Sequence, residues 1–254
     1  MIAMSNLIFL IFGFVVGSFL NCVIYRLEEG KSFLKGRSFC PHCGHSLAWK
    51  DLIPLLSFLF LRGKCRYCKK EISFQYPLVE LATALSFFFI SFTFSGLFIF
   101  YYCIIFSLLI AIFVYDLKHM LIPDSLIYSA IVIVIIFNLY QFFIGSYPIL
   151  NHLYSALGAA LFFLSIVLFS KGKAMGVGDI KLAFFMGFFL GFPGIFLALF
   201  LAFFFGAIIG IGLIMFKKKE LKSEVPFGPF LIAGTVISLF FAEEIINWYL
   251  NLFL

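Results

Sequence analysis

Two aspartates stand where residue type and setting together suggest chemistry. Asp116 lies in Tyr-Asp-Leu-Lys-His-Met-Leu-Ile-Pro-Asp (115–124), and Asp179 closes Gly-Val-Gly-Asp (176–179). Each falls where a long apolar run meets a polar loop. A carboxylate beside a lipid-embedded stretch is costly to keep, so its default reading is functional, and a pair points to a shared acid–base task. Two carboxylates in one site do not readily both ionise; one keeps a proton while the other acts as a base on water. Hydrolysis of a peptide bond needs that asymmetry, and direct attack by water leaves no covalent intermediate on the protein. The pattern predicts an intramembrane aspartyl peptidase with Asp116 and Asp179 as its catalytic pair.

Each residue also has a plainer reading. Asp179 suits the N-cap of a helix, with Gly176 and Gly178 permitting the turn before it. Asp116 reads equally as a headgroup-level carboxylate partnered by Lys118, and Asp124, after Pro123, as an early-turn anion of the next helix. In the catalytic reading, Gly176 and Gly178 clear side chains from beside the carboxylate so that an extended substrate backbone can approach. Lys181 then either tunes Asp179 or snorkels to the headgroups, the second being preferred.

The elements that must position these residues are membrane helices. With 64% apolar residues, 12% charged residues and 40 Phe, the chain has a mean hydropathy of +1.15, far outside the range of soluble domains. Spanning runs occur at 6–25, 77–94, 97–115, 121–144, 149–170, 195–216 and 228–250. A shorter run at 179–190 makes eight, although its 12 residues reach only about 18 Å as a helix. Charge supports that count. With eight spans and both termini outside, all 18 Lys and Arg fall on the cytoplasmic side, including Lys173 and the cluster Lys217, Lys218, Lys219 and Lys222. The two aspartates, 63 positions apart, then share one membrane face.

The net charge of +6 is a topology signal on this reading, and nucleic acid is not an expected partner. The first span lacks a basic leader and a small-residue cleavage site, so it reads as a retained anchor. Tyr101, Tyr102, Trp248 and Tyr249 fit interfacial belts.

Between the first two spans, residues 27–76 break the apolar composition. Cys40-Pro-His-Cys43 and Cys65-Arg-Tyr-Cys68 form two C-x-x-C knuckles separated by 21 residues, the spacing of a four-thiolate zinc ribbon. Gly44 and Gly63 suit tight turns beside them. A cytoplasmic location disfavours stable disulfides, and a single redox pair needs no matching second one. Zinc, or iron in its place, is the expected occupant of Cys40, Cys43, Cys65 and Cys68, with His42 and His45 read as loop residues. Cys22 and Cys103 lie in apolar runs as small hydrophobes.

These motifs, with Gly17-Ser-Phe-Leu-Asn21, Arg26, Asp51-Leu-Ile-Pro54, Tyr76-Pro-Leu-Val-Glu80, Gly176-Val-Gly-Asp-Ile-Lys-Leu182 and Pro226-Phe-Gly-Pro-Phe230, resemble the type IV prepilin peptidases over nearly the whole chain. The resemblance implies an all-α polytopic membrane protein of about eight transmembrane helices with one cytoplasmic zinc-ribbon-like loop. It divides the chain into a first transmembrane helix (1–26), a four-Cys metal-binding loop associated with methyltransferase activity (27–76) and a transmembrane aspartyl peptidase domain (77–254). It implies prepilin or pseudopilin substrates of pilus and secretion assemblies, cut at the cytoplasmic border of the bacterial inner membrane after a glycine that ends a basic leader. The new N-terminal residue would then be methylated with S-adenosylmethionine. It assigns Asp116 and Asp179 to catalysis and offers Glu80 as a contact for the basic leader, although Glu80 also reads as a helix N-terminal anion. The methyl-donor site is not assignable from the sequence, which has no Gly-rich loop in a β-α-β unit.

One departure is visible in Ser73-Phe-Gln-Tyr-Pro77, where Gln75 stands in place of the family's usual Arg. It leaves open a peptidase without methylation. A presenilin-like protease would share Tyr-Asp and Gly-x-Gly-Asp, but the chain lacks Pro-Ala-Leu. A proton-coupled transporter would carry its carboxylates near the bilayer midplane. A non-enzymatic scaffold would explain the cysteines and not the aspartates.

Overall fold

The computed structural model describes residues 2–31, 36–145, 147–172, 175–215 and 225–253. Lys173, Lys217, Lys218, Lys219 and Lys222, which bear on the topology argument, lie outside the described residues. Among the described residues the structure is all-helical, with helices α1 (Ile2–Glu28), α2 (Leu56–Phe60), α3 (Gln75–Thr93), α4 (Leu97–His119), α5 (Asp124–Phe143), α6 (Ile149–Ser170), α7 (Val177–Leu190), α8 (Gly194–Met215) and α9 (Gly228–Phe253). Seven are long and apolar enough to cross a membrane, all except α2 and α7. The short eighth run is present as α7, whose 14 residues span about 21 Å. Helices dominate because the bilayer core offers no water to backbone N–H and C=O groups, which must be satisfied within each segment.

The chain divides into two compact units, residues 1–111 and 112–254. In the first, α1 packs on α3 through glycines one turn apart. A Cβ on Gly13 would fall 2.6 Å from Ala84 Cα, and one on Gly17 2.7 Å from Glu80 Cα. This small-x-x-x-small spacing lets two membrane helices touch along their backbones. Polar side chains then fix their register. Asn21 donates to the Tyr76 carbonyl at 3.0 Å, Ser91 donates to Asn6 at 3.2 Å, and buried Arg26 reaches the Gly36 and Arg37 carbonyls at 2.9 and 3.2 Å. Tyr101, expected in an interfacial belt, is instead buried, with its ring 5.0 Å from that of Tyr102.

The second unit is built around α7, which packs against α5, α6, α8 and α9. Leu182, Ala183, Phe185 and Met186 have no solvent exposure. A Cβ on Gly187 would lie 2.5 Å from Ala156 Cα, so α6 and α7 touch backbone to backbone. A helix that ends early leaves carbonyls without intrahelical donors. Here Asn138 donates to the Phe188 carbonyl at 2.8 Å and His152 Nδ1 lies 3.0 Å from the same oxygen, while Asn151 brackets Phe192 through its carbonyl and N–H at 3.0 and 2.7 Å. Gly191, at φ +66°, turns the chain toward α8.

Because a side chain at residue 187 has nowhere to go, Gly187→Val is expected to destabilise the protein by about 1–3 kcal/mol. A lower melting temperature in detergent checks this, and an unchanged one would refute the close α6–α7 contact.

Candidate functional site

Asp116 sits in the last turn of α4, which ends where Met120 adopts φ +53° and its N–H bonds the Asp116 carbonyl at 2.8 Å. Residues 120–123 connect α4 to α5, with Pro123 as the N-cap of α5. Asp116 is buried at 4% exposure, and its Oδ2 has no hydrogen-bond partner among the described residues. The first residue of α9, Gly228, turns its main-chain N–H toward this carboxylate. A Cβ on Gly228 would lie 2.5 Å from Asp116 Oδ2, so only glycine leaves room for that oxygen.

Asp179 is the third residue of α7 and is also buried. It is not the N-cap suggested by the plainer reading of the sequence. Gly176 holds that position, and Asp179 reaches back to accept the Gly176 N–H at 3.1 Å, the half of a capping box that needs no side chain at the cap. The Asp179 carboxylate lies within electrostatic range of Asp116.

Gly178 lies against Ile122, with a hypothetical Cβ 3.1 Å from Ile122 Cβ, and Ile122 Cδ1 also faces Gly228. Gly176 is exposed, and a Cβ there would meet only Asp179 Oδ2 and the Gly178 N–H, both beyond 3.7 Å. The open side of the pair is therefore at Gly176, while Gly178 closes its floor. Lys181 neither approaches Asp179 nor points freely to headgroups; its ammonium pairs with Asp124 Oδ1 at 2.6 Å and lies 5.0 Å from the Tyr128 ring centre. That pair ties the start of α5 to the start of α7, the two elements that flank the aspartates. Ile122 and Gly228 were not identified as site residues from the sequence. Gly228 lay inside the Pro-Phe-Gly-Pro motif, but nothing local links it to a residue more than a hundred positions away.

In the first unit, the four cysteines converge, with all sulfurs within 4.8 Å of one another and Cys40 Sγ 3.9 Å from Cys68 Sγ. Tetrahedral zinc with Zn–S near 2.3 Å requires sulfurs about 3.8 Å apart, so the donor set fits the ion. The two knuckles repeat one geometry. Cys40 N–H bonds the His45 carbonyl at 2.9 Å and Cys65 N–H the Lys70 carbonyl at 2.8 Å, with left-handed residues Gly44 and Lys69 after the second cysteine of each. Burial pushes the Cys40 thiol up to about 11. Burial acts the same way on Cys65, but the main-chain N–H groups of Cys68 and Tyr67 and the neighbouring thiols outweigh it and hold Cys65 at about 7. His45 stacks on Tyr67 at 3.7 Å and is not a ligand.

Asp51 fastens the cluster from outside. It accepts from Arg66 Nε at 2.6 Å, from Tyr67 Oη at 3.1 Å and from the Ala48 N–H at 3.2 Å. Burial raises its pKa, but these donors together outweigh burial and hold the carboxyl below its ordinary value. The pairing is therefore intact at neutral pH and lost as pH falls through that lowered value. Glu80 is buried and accepts the Leu55 N–H at 2.7 Å, which makes it an anchor for the loop. Gln75 Oε1 and Asn21 Oδ1 are buried without donors among the described residues.

Comparison with known proteins places both regions. Residues 11–94 match the bacterial peptidase A24 N-terminal domain, and residues 103–211 match the type IV leader peptidase family. A prepilin leader peptidase/N-methyltransferase of Aeromonas hydrophila is 34% identical over 98% of this chain and 94% of its own length. Proteins of the same name from Legionella pneumophila (34%, over 95% and 93%) and Bacillus subtilis strain 168 (33%, over 96% and 98%) are similarly related. The chain belongs to the type IV leader peptidase family. No solved structure matches it significantly. The family match runs through Asp116, Gly176, Gly178, Asp179 and Lys181 and stops before Gly228, while the N-terminal match takes in the four cysteines and Glu80.

Metal analysis of the purified protein should find about one zinc per chain, the content of a closed four-thiolate site. Cys40→Ser/Cys65→Ser should lose it, and equal metal in both proteins would exclude the site. Asp51→Asn keeps all four thiolates and should release zinc to a chelator faster than wild type; an unchanged rate would refute the bracing role of Asp51.

Proposed function

We propose that this chain is a prepilin leader peptidase and N-methyltransferase in which Asp116 and Asp179 are the catalytic pair. The observation that carries the reading is the orphaned, buried Asp116 Oδ2 beside the carboxylate of Asp179, at the ends of two helices where lipid gives way to water. The name shared by relatives aligned over nearly the whole chain supports the substrate class, prepilins and pseudopilins.

In the proposed reaction, one carboxylate of the pair takes a proton from water as the oxygen attacks the carbonyl carbon of the scissile bond. The other, protonated, donates to the carbonyl oxygen. Collapse of the tetrahedral species returns a proton to the leaving amine, releasing the leader with a free carboxylate. Gly176 lies on the open side and admits an extended backbone, Gly178 and Ile122 set the floor, and Gly228 keeps space for Asp116 Oδ2. A substrate with a hydrophilic leader and an apolar helix brings its scissile bond to this border without either part leaving its preferred solvent. The active site and the cysteine loop face the cytoplasm and both termini face outside in this proposal, which the placement of Lys and Arg supports.

The second reaction uses S-adenosylmethionine as co-substrate: the new amine attacks the sulfonium methyl, S-adenosylhomocysteine leaves and the nitrogen loses a proton. Zinc in the thiolate cluster is structural, since four thiolates leave no open coordination position.

Incubating wild type, Asp116→Asn and Asp179→Asn with a prepilin and S-adenosylmethionine, with products read by mass spectrometry, tests the proposal. Wild type should release the leader after glycine and add one methyl to the new N-terminus. Each variant should be slower in cleavage by roughly 10²–10⁴-fold. Cleavage at wild-type rate in both variants would overturn the assignment. Gly228→Ala, which drives a methyl into Asp116 Oδ2, should lower turnover by about 100-fold without loss of expression. Gly178→Val should act in the same direction through Ile122, and unchanged turnover in both would exclude the packing role of the glycines.

A further inference from the structure

Residues 49–60 of the cysteine loop present an apolar surface that the other described residues leave uncovered. Trp49, Leu52, Ile53, Leu56, Leu59 and Phe60 are all exposed, Phe60 at 84% and Trp49 at 79%. Two contacts tie this strip to the start of α3. Leu55 donates its N–H to Glu80 Oε2 at 2.7 Å, and the Phe58 ring lies 5.4 Å from that of Phe74. Phe74 caps α3 and Glu80 lies in its second turn, so both contacts hold the strip at the level where a membrane-spanning helix enters the bilayer. Leu55 makes the turn at φ +58°, a conformation that leucine adopts only when surrounding structure imposes it.

Cations flank the strip. Lys50, Arg62 and Lys64 are exposed, and a groove of about 610 Å³ runs beside α2 between Phe58, Leu59, Arg62, Lys64 and Phe74. Apolar side chains on one surface with Lys and Arg at its rim are the composition of a segment that lies in the headgroup region, its apolar groups in the acyl boundary and its cations on lipid phosphates.

We propose that residues 49–60 are a membrane-interface anchor, seated on phospholipid in the leaflet that α3 enters. The same contacts that place the strip also place the thiolate cluster, because Asp51 lies within it and holds Arg66 and Tyr67 of the second knuckle. The anchor therefore lays the metal-binding loop flat on the bilayer surface. This placement stands independently of the proposed reaction.

A depth measurement tests it. The chain has two Trp, at 49 and 248, so the full-length variant Phe60→Trp/Trp49→Phe/Trp248→Phe reports from the most exposed position of the strip. It is reconstituted in phosphatidylcholine/phosphatidylglycerol vesicles, some brominated near the top of the acyl chains. The expected result is blue-shifted emission that loses most of its intensity to the brominated lipid and little to aqueous iodide. Emission at the wavelength of water-exposed tryptophan with quenching by iodide would overturn the proposal. So would protection from both quenchers, which would mean that protein covers the strip. Trp248→Phe alone leaves the native Trp49 in place and gives the same reading without altering the loop. Prepilin cleavage by these proteins reports separately on the peptidase reading, since none of the three positions belongs to the aspartate site.

Discussion

The rest of the second unit depends on how a helix too short to cross the bilayer is held inside it. Unpaired backbone carbonyls in hydrocarbon cost several kcal/mol each, so α7 persists only because the end of α5 and the start of α6 supply donors to the Phe188 carbonyl. Gly187 lets α6 close on it, and Gly191 turns the chain at its end. The reward for this construction is at the other terminus. A helix that stops short can place its first turn, with Asp179, beside the last turn of α4, with Asp116, while both carboxylates remain buried.

The first unit solves a different problem with similar means. A polar loop rich in cations must be fixed to helices that live in lipid. Glu80, Asn21 and Arg26 do this from within or at the ends of α1 and α3, each bonding a backbone group. Gly13 and Gly17 bring the two helices close enough for those bonds to form. Within the loop, the thiolate cluster and Asp51 substitute for a hydrophobic core that so short a segment cannot build.

Much of this was legible in the sequence where signals are local or periodic. Apolar runs fixed seven long helices, the basic residues argued for the short eighth, and the paired C-x-x-C spacing placed four sulfurs together. The aspartates stood out because carboxylates are rare beside lipid. What was illegible was partnership across distance. Lys181 lies two residues from Asp179 in sequence but pairs with Asp124, because a helix rotates residues i and i+2 to different faces. Glu80 suited a helix N-terminal anion equally well but accepts the Leu55 N–H, and Gly228 meets Asp116 although four helices, α5 to α8, separate them along the chain.

The central claim is that Asp116 and Asp179 act as one unit, and a kinetic cycle tests it most directly. The kcat/KM for prepilin cleavage would be measured for wild type, Asp116→Asn, Asp179→Asn and the double variant. Residues that share a single proton-transfer task are strongly non-additive, so the double variant should be no slower than the slower single variant. Losses that multiply would show two carboxylates working independently and would contradict the account.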